Sequence, residues 1–163
     1  MAEGRAWQLR LSSEKGEWLV PSRTEWLLRF LVGVSPHYDG WIDRIRVMKG
    51  MFLFQAEGDP PIGEVNYNFR PYDYGPFTPE IYRDVEALIA TGLVTDTDEG
   101  KSYRATERGA RYAANIAYPA KPLQTLCELR VEVQDLSFRD LLRRVYKAHP
   151  ESAVRSVARD VLG

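Results

Sequence analysis

Chemistry in a protein starts from nucleophiles, acid–base groups and metal ligands. The versatile ones are few here: two histidines, His37 and His149, and one cysteine, Cys127. Neither histidine has a second histidine or a cysteine at ligand spacing, so a tetrahedral zinc site lacks its ligands. His37 and Asp39 in "SPHYDG" would make a small polar site, but the turn-forming composition around them explains both as loop residues. The lone Cys127 can form no internal disulfide; it reads as a small buried apolar side chain of a protein in a reducing compartment. No phosphate-cradling Walker loop, Gly-x-Ser-x-Gly elbow or Rossmann fingerprint occurs. These residues point to no catalytic group, no metal and no cofactor.

The aromatic side chains carry more. "YNFRPYDYGPF" places Tyr67, Phe69, Tyr72, Tyr74 and Phe77 around two prolines and Arg70. Two readings stand side by side. In one, the aromatics plug a junction between helices, with Gly75 allowing a backbone other residues resist and Pro76 fixing the exit. In the other they form an exposed ledge, because Tyr, Phe and Arg anchor protein interfaces. On the second reading Tyr67, Phe69, Arg70, Tyr72, Tyr74 and Phe77, with Tyr82 and Arg83 beyond them, are the candidate partner-binding residues.

Basic side chains also recur at helical spacing: Arg139, Arg143 and Lys147, then Arg155 and Arg159, with Arg108 and Arg111 upstream. They read either as a solvated helix surface or as a face for an acidic partner or a nucleic-acid backbone. The whole chain of 163 residues has a net charge of −1, which gives no global pull toward nucleic acid or anionic membrane. From Glu107 onward there are ten bases and seven acids, a net of +3, leaving 12 minus 16, or −4, before it. Hydrophobic residues at 44% fit a folded protein. The first 18 residues hold no continuous apolar run, so the expectation is a cytoplasmic protein with neither leader nor membrane span.

The elements that position these residues follow from periodicity. "SRTEWLLRFLV" predicts a helix from Ser22 to about Val32 with Ser22 or Thr24 as its cap, after a short strand at "WQLRL". "WIDRIRVMKGMFLFQ", residues 41–55, predicts a central helix covered on most sides, with Asp43, Arg46 and Lys49 on its one polar face. Thr78 caps and Pro79 opens a helix over 79–91 whose inner stripe is Ile81, Val85, Leu88 and Ile89, closed by Gly92. Its outward positions, Glu80, Arg83, Asp84, Glu86 and Thr91, are three acids to one base. Residues 94–105 predict two strands joined by a turn over Asp98, Glu99 and Gly100, and Thr106 caps the next helix. The remainder predicts about three helices, with Ser137 and Asp140 as a capping box, Leu141, Leu142, Val145 and Tyr146 facing inward, and Pro150 opening the last.

That order is that of a winged-helix domain, mainly α with a small β-hairpin, over residues 1–118, followed by a helical extension over 119–163 packed on it. The stretches "RVMKGMFLF", "YDYGPFTPEIYRDVEALIATGLV" and "YRATERGARYA" resemble the Panacea-domain family of SocA-like antitoxins. The tail "LLRRVYKAHPESAVRSV" is similar to YwgA-like phage-associated members. The likeness spans residues 24–157, and its most specific part is "YGPFTPEIYRDV". It implies a non-enzymatic fold that binds and neutralises a toxin or regulates a partner, with no catalytic residues to carry over. The expectation is a protein-interaction module. The alternative is a DNA-binding transcription regulator, against which the acidic outer face of helix 79–91 counts.

Overall fold

The computed structural model describes residues 20–33, 40–63 and 65–153. The expected strand at residues 7–11, His37, Asp39, Arg155 and Arg159 lie outside them. The first described helix, α1, runs Arg23–Val32. Ser22 caps it in a full capping box: its Oγ accepts from the Glu25 amide at 3.2 Å, and Glu25 Oε1 accepts from the Ser22 amide at 2.9 Å. Trp26, Leu27, Leu28, Phe30 and Leu31 are all buried, so α1 runs through the centre of the core.

The second element corrects the expectation. Residues 41–43 are not helical: Ile42–Asp43 is a short strand, β1, and α2 begins at Arg44 and runs to Glu57. Asp43 is the N-cap, its carboxylate accepting from the Arg46 amide at 2.9 Å, while Ile42 pairs with Tyr103 far along the chain. Next comes a tight hairpin, β2 (Arg70–Tyr72) and β3 (Gly75–Phe77), in register Arg70 to Phe77 and Tyr72 to Gly75. Helix α3 is Pro79–Ala90, capped by Thr78 and closed as its residues predict. Gly92 has φ +78°, and the Leu93 amide reaches back to Leu88 O at 2.9 Å, a left-handed closure that glycine adopts without strain.

Strands β4 (Val94–Asp96) and β5 (Ser102–Ala105) form the second hairpin, and β1 joins it to give an antiparallel sheet in the order β1-β5-β4. Helix, strand, helix, helix, strand, strand is the winged-helix order, with β2–β3 inserted before its third helix. Three helical elements follow: α4 (Glu107–Ala114), α5 (Ala120–Asp135) and α6 (Phe138–Ala148). Pro150 opens only a 3-10 turn, Pro150–Ala153.

The C-terminal helices complete the core. Leu126, Val133, Leu141, Leu142 and Val145 join Trp26 and Phe54 in one buried cluster. Each such fully buried aliphatic side chain contributes about 1.5–3 kcal/mol. Arginines tie the layers: Arg130, itself buried, donates to Phe30 O at 3.1 Å, and Arg46 donates to Val133 O at 2.9 Å and Leu136 O at 2.6 Å. Arg144 links α6 to α2 and α5 through Glu57 at 2.7 Å and Glu132 at 3.1 Å.

Candidate partner-binding groove

The β2–β3 hairpin is clamped on two sides. Beneath it, Lys49 of α2 donates to Pro76 O at 2.9 Å, and the Thr78 amide donates to Met48 Sδ at 3.5 Å. On its flank stands Tyr146 of α6: a Cβ added at Gly75, whose φ is +90°, would lie 2.8 Å from Tyr146 Cε1. Only a glycine allows both the turn and this approach.

This clamp sorts the aromatic cluster into two sets, so each sequence reading holds for part of it. Tyr67 is 4% exposed and belongs to the core, which removes it from the ledge. Its hydroxyl donates to Asp84, the Arg23 guanidinium lies 4.7 Å over its ring, and both Gln55 amide atoms hold its backbone. Burial, then the Asp84 carboxylate, pushes its phenol well above the usual tyrosine value. Phe69 is half-buried between Phe52 and Tyr67, at 5.3 and 6.0 Å between ring centres, and is likewise part of the plug. Tyr72 and Tyr74 are 45% and 50% exposed. Tyr72, Phe77 and Tyr82 form a chain of rings at 5.4 and 5.7 Å, and Tyr74 meets Phe138 at 5.9 Å. These rings, with exposed Arg70 and Arg83, make the ledge.

Three clefts follow one another along it. A cleft of about 480 Å³ lies between β2 and the start of α3, with Arg70, Tyr72, Phe77 and Arg83 in its walls. One of about 370 Å³ lies across Tyr72 and Phe77 from it, floored by Met48 and Lys49 and walled by Tyr74, Tyr82 and Arg44. A third of about 220 Å³ shares Arg44 and Tyr82 and runs toward Asp96 and Gly100 of the wing.

The charges along this groove differ from the sequence expectation. Glu80 and Asp84 were to face outward from α3, but Arg23 of α1 bridges both at 3.1 Å, and the Asn68 amide donates to Glu80 at 2.8 Å. The Asn68 amide, helped by Thr78 and Arg23, holds the Glu80 carboxyl below the usual range. These acids pin residues 65–69 onto α3 and offer little charge to a partner. Lys49, expected on a polar face, is 4% exposed, and burial lowers its amine to about 8. Arg44, Arg70 and Arg83 are exposed, and none of them has a carboxylate among the described residues within ion-pair distance. Lys49 and Arg44 were not singled out from sequence. A signal existed for Lys49: it sits four residues from Ile45 and from Leu53, in line with an apolar stripe.

The basic residues named from sequence lie on two helices. Arg108 and Arg111 are on α4, where Arg111 pairs with Glu107 at 3.4 Å; Arg139, Arg143 and Lys147 are on α6, where Arg143 pairs with Asp140 at 3.6 Å. Cys127 is half-buried, not fully buried, and burial pushes its thiol up. His149 contacts Glu57 at 2.8 Å. Among the described residues no group of three or more His, Cys, Asp or Glu side chains is placed to hold a metal, and no helix is long and apolar enough to cross a membrane.

Comparison of the chain with family models, with curated proteins and with solved structures returns no match.

Proposed function

We propose that this chain is a non-catalytic protein-interaction module of regulatory type, which takes a segment of one partner protein into the groove between the β2–β3 hairpin and α3. One observation carries the reading: two neighbouring clefts of about 370 and 480 Å³ share Tyr72 and Phe77 and are flanked by arginines that pair with no carboxylate among the described residues. Exposed Tyr and Arg beside concave apolar surface are the usual energetic centre of an interface. The Panacea-type resemblance supplies the setting, an antitoxin-like protein that neutralises or adapts its partner in the cytoplasm.

The winged-helix order favours a second reading, sequence-specific DNA binding. Its weakness is charge. With Glu80 and Asp84 tied to Arg23, the exposed part of α3 offers Arg83 against Glu86, and at the wing tip Lys101 is paired with Glu99 at 3.1 Å. Phosphate binding needs a row of uncompensated cations, and this surface has none.

Affinity capture from the native cell, run with wild type and with Tyr72→Ala and Arg83→Ala, separates the two. The expected result is one protein held in equal amount by the wild type, with affinity falling about tenfold in each variant while melting is unchanged. Duplex DNA at low salt should give no anisotropy change. Tight duplex binding, or capture indifferent to both substitutions, would overturn the reading.

A further inference from the structure

Lys49 is the one lysine among the described residues that the fold buries, and its placement asks for an anion. An ammonium group has three N–H donors, and the structure gives this one a single acceptor, Pro76 O at 2.9 Å. Among the described residues no carboxylate stands within ion-pair distance. A buried cation without a counter-charge is costly, and proteins ordinarily pair it or remove it. Here it lines the 370 Å³ cleft, with Arg44 at the same cleft wall and likewise without a carboxylate among the described residues. The charged and titratable groups that line the cleft with it are Arg44 on α2, Asp73 at the hairpin turn, and the phenols of Tyr72, Tyr74 and Tyr82, and Tyr146 of α6 stands beside Gly75 on the flank of the hairpin.

We infer that Lys49 is a carboxylate receptor, so that the partner segment taken by this groove carries an Asp or Glu side chain between apolar neighbours. The inference rests on the groove being the docking surface and adds the chemistry that selects its occupant. Charge complementarity supports it: one buried point cation plus Arg44 outweighs the single acid Asp73 and matches one carboxylate. The ring of Phe77 and the side chains of Ile45 and Met48 offer apolar walls to the residues on either side of that acid. A single-stranded nucleic acid also favours aromatics and cations, but its phosphates recur along the strand. Beyond Arg44 the groove leads to Glu86, Asp96 and Glu99, which would repel the next phosphates.

The probe is an N-acetylated, C-amidated heptapeptide, Gly-Ser-Leu-Glu-Phe-Ser-Gly, against its counterpart with Gln in place of Glu. Each is titrated into the ¹⁵N-labelled full chain while the amide resonances of Lys49, Gly75, Phe77 and Tyr82 are followed. The Glu peptide should shift these amides with an affinity about tenfold above that of the Gln peptide, the discrimination expected of one charge-assisted hydrogen-bonded pair. In Lys49→Met that preference should vanish; Lys49→Gln, which keeps a donor for Pro76 O, gives the same comparison if the first variant does not fold. Lys121→Met, at an exposed lysine on α5, should leave the preference intact. Equal binding of both peptides overturns the carboxylate inference while the docking reading survives. Failure of both to move these amides overturns it too, and the docking reading is then judged by Tyr72→Ala in partner capture. Stronger shifts with an oligothymidine than with the Glu peptide would replace the protein segment by a nucleic acid.

Discussion

Replacing Lys49 by Met should make the protein's stability less dependent on alkaline pH. Burial lowers the amine from the usual 10.5 to about 8. At about 1.4 kcal/mol per unit, the charged amine destabilises the fold by about 3 kcal/mol at neutral pH. A folded-state value below the unfolded one means that between about 8 and 10.5 the unfolded chain binds more protons. Stability therefore rises with pH through that window, and the cost is present in full below it. Met keeps the length and removes the charge, but it leaves Pro76 O without its donor, a loss of about 1–3 kcal/mol. The net change at pH 7 is a gain of about 0–2 kcal/mol by these two figures. The slope is more telling than the offset. Between pH 7 and 10 the variant's stability relative to wild type should fall by about 2–3 kcal/mol, because only the wild type sheds its buried charge. Urea unfolding followed by tryptophan fluorescence reads this directly, since Trp26 is fully buried against Phe54 at 5.0 Å. Taking the difference between proteins cancels the tyrosines, which titrate in both. A difference that stays flat across that range would show that the amine is solvated in the folded state, and the receptor argument would lose its footing.

The other predictions address the clamp, the two aromatic sets and the C-terminal tie. Gly75→Ala should cost about 1–3 kcal/mol in urea unfolding, since the residue would be held at φ +90° with its Cβ against the Tyr146 ring; a fully stable variant would refute the clamp. Tyr67→Phe removes a buried donor from Asp84 and should cost about 1–2 kcal/mol, whereas Tyr74→Ala, half exposed, should stay within about 0.5 kcal/mol; equal losses would undo the division into plug and ledge. Arg144 is the main cause of the lowered Glu57 carboxyl, so this pair adds stability above the unfolded carboxyl value that is lost as pH falls through the folded one. Arg144→Met should flatten the acid side of the wild-type stability profile by under about 1 kcal/mol, the side chains being a quarter to a third exposed.

Local chemistry accounts for what could be read in the chain. Thr78, Pro79 and Gly92 specify α3 by capping, fixed φ and left-handed closure, none of which needs a distant residue. Ser22 and Thr106 act in the same way. The misreadings all have distant causes. Trp41 to Asp43 fit a helical stripe, but Ile42 pairs with Tyr103, sixty-one residues along, and that pairing frees Asp43 to cap α2. Glu80 and Asp84 look outward on a wheel, and Arg23 from an earlier helix, with Tyr67 and Asn68 from the segment before α3, turns them inward. Lys49 shares a helical face with Asp43 and Arg46; the hairpin that buries it begins twenty-one residues later. Periodicity identifies a polar stripe without saying what will cover it. The candidate groove was legible through its aromatics and Arg83, while its cationic floor was not.

The allocation of positive charge links fold to function here. Arg23, Arg46 and Arg144 are each bound to two or more acceptors on other elements, and Arg130 joins α5 to α1 through Phe30 O. Arg44, Lys49, Arg70 and Arg83 gather along one groove, and among the described residues their side chains share a single carbonyl, Pro76 O. Exposed arginines in that state cost the fold almost nothing and so say little by themselves. Lys49 is different, because its burial subtracts about 3 kcal/mol from a stability that in domains of this kind is only about 5–15 kcal/mol. A methionine of similar reach would remove the charge but also the donor to Pro76 O, for a net gain of about 0–2 kcal/mol. Side chains that lower stability where a neutral one would raise it are concentrated at functional sites, where the missing counter-charge arrives with the ligand. On that reasoning it is the buried amine of Lys49, more than the exposed arginines, that supports the proposed carboxylate-binding role of the groove.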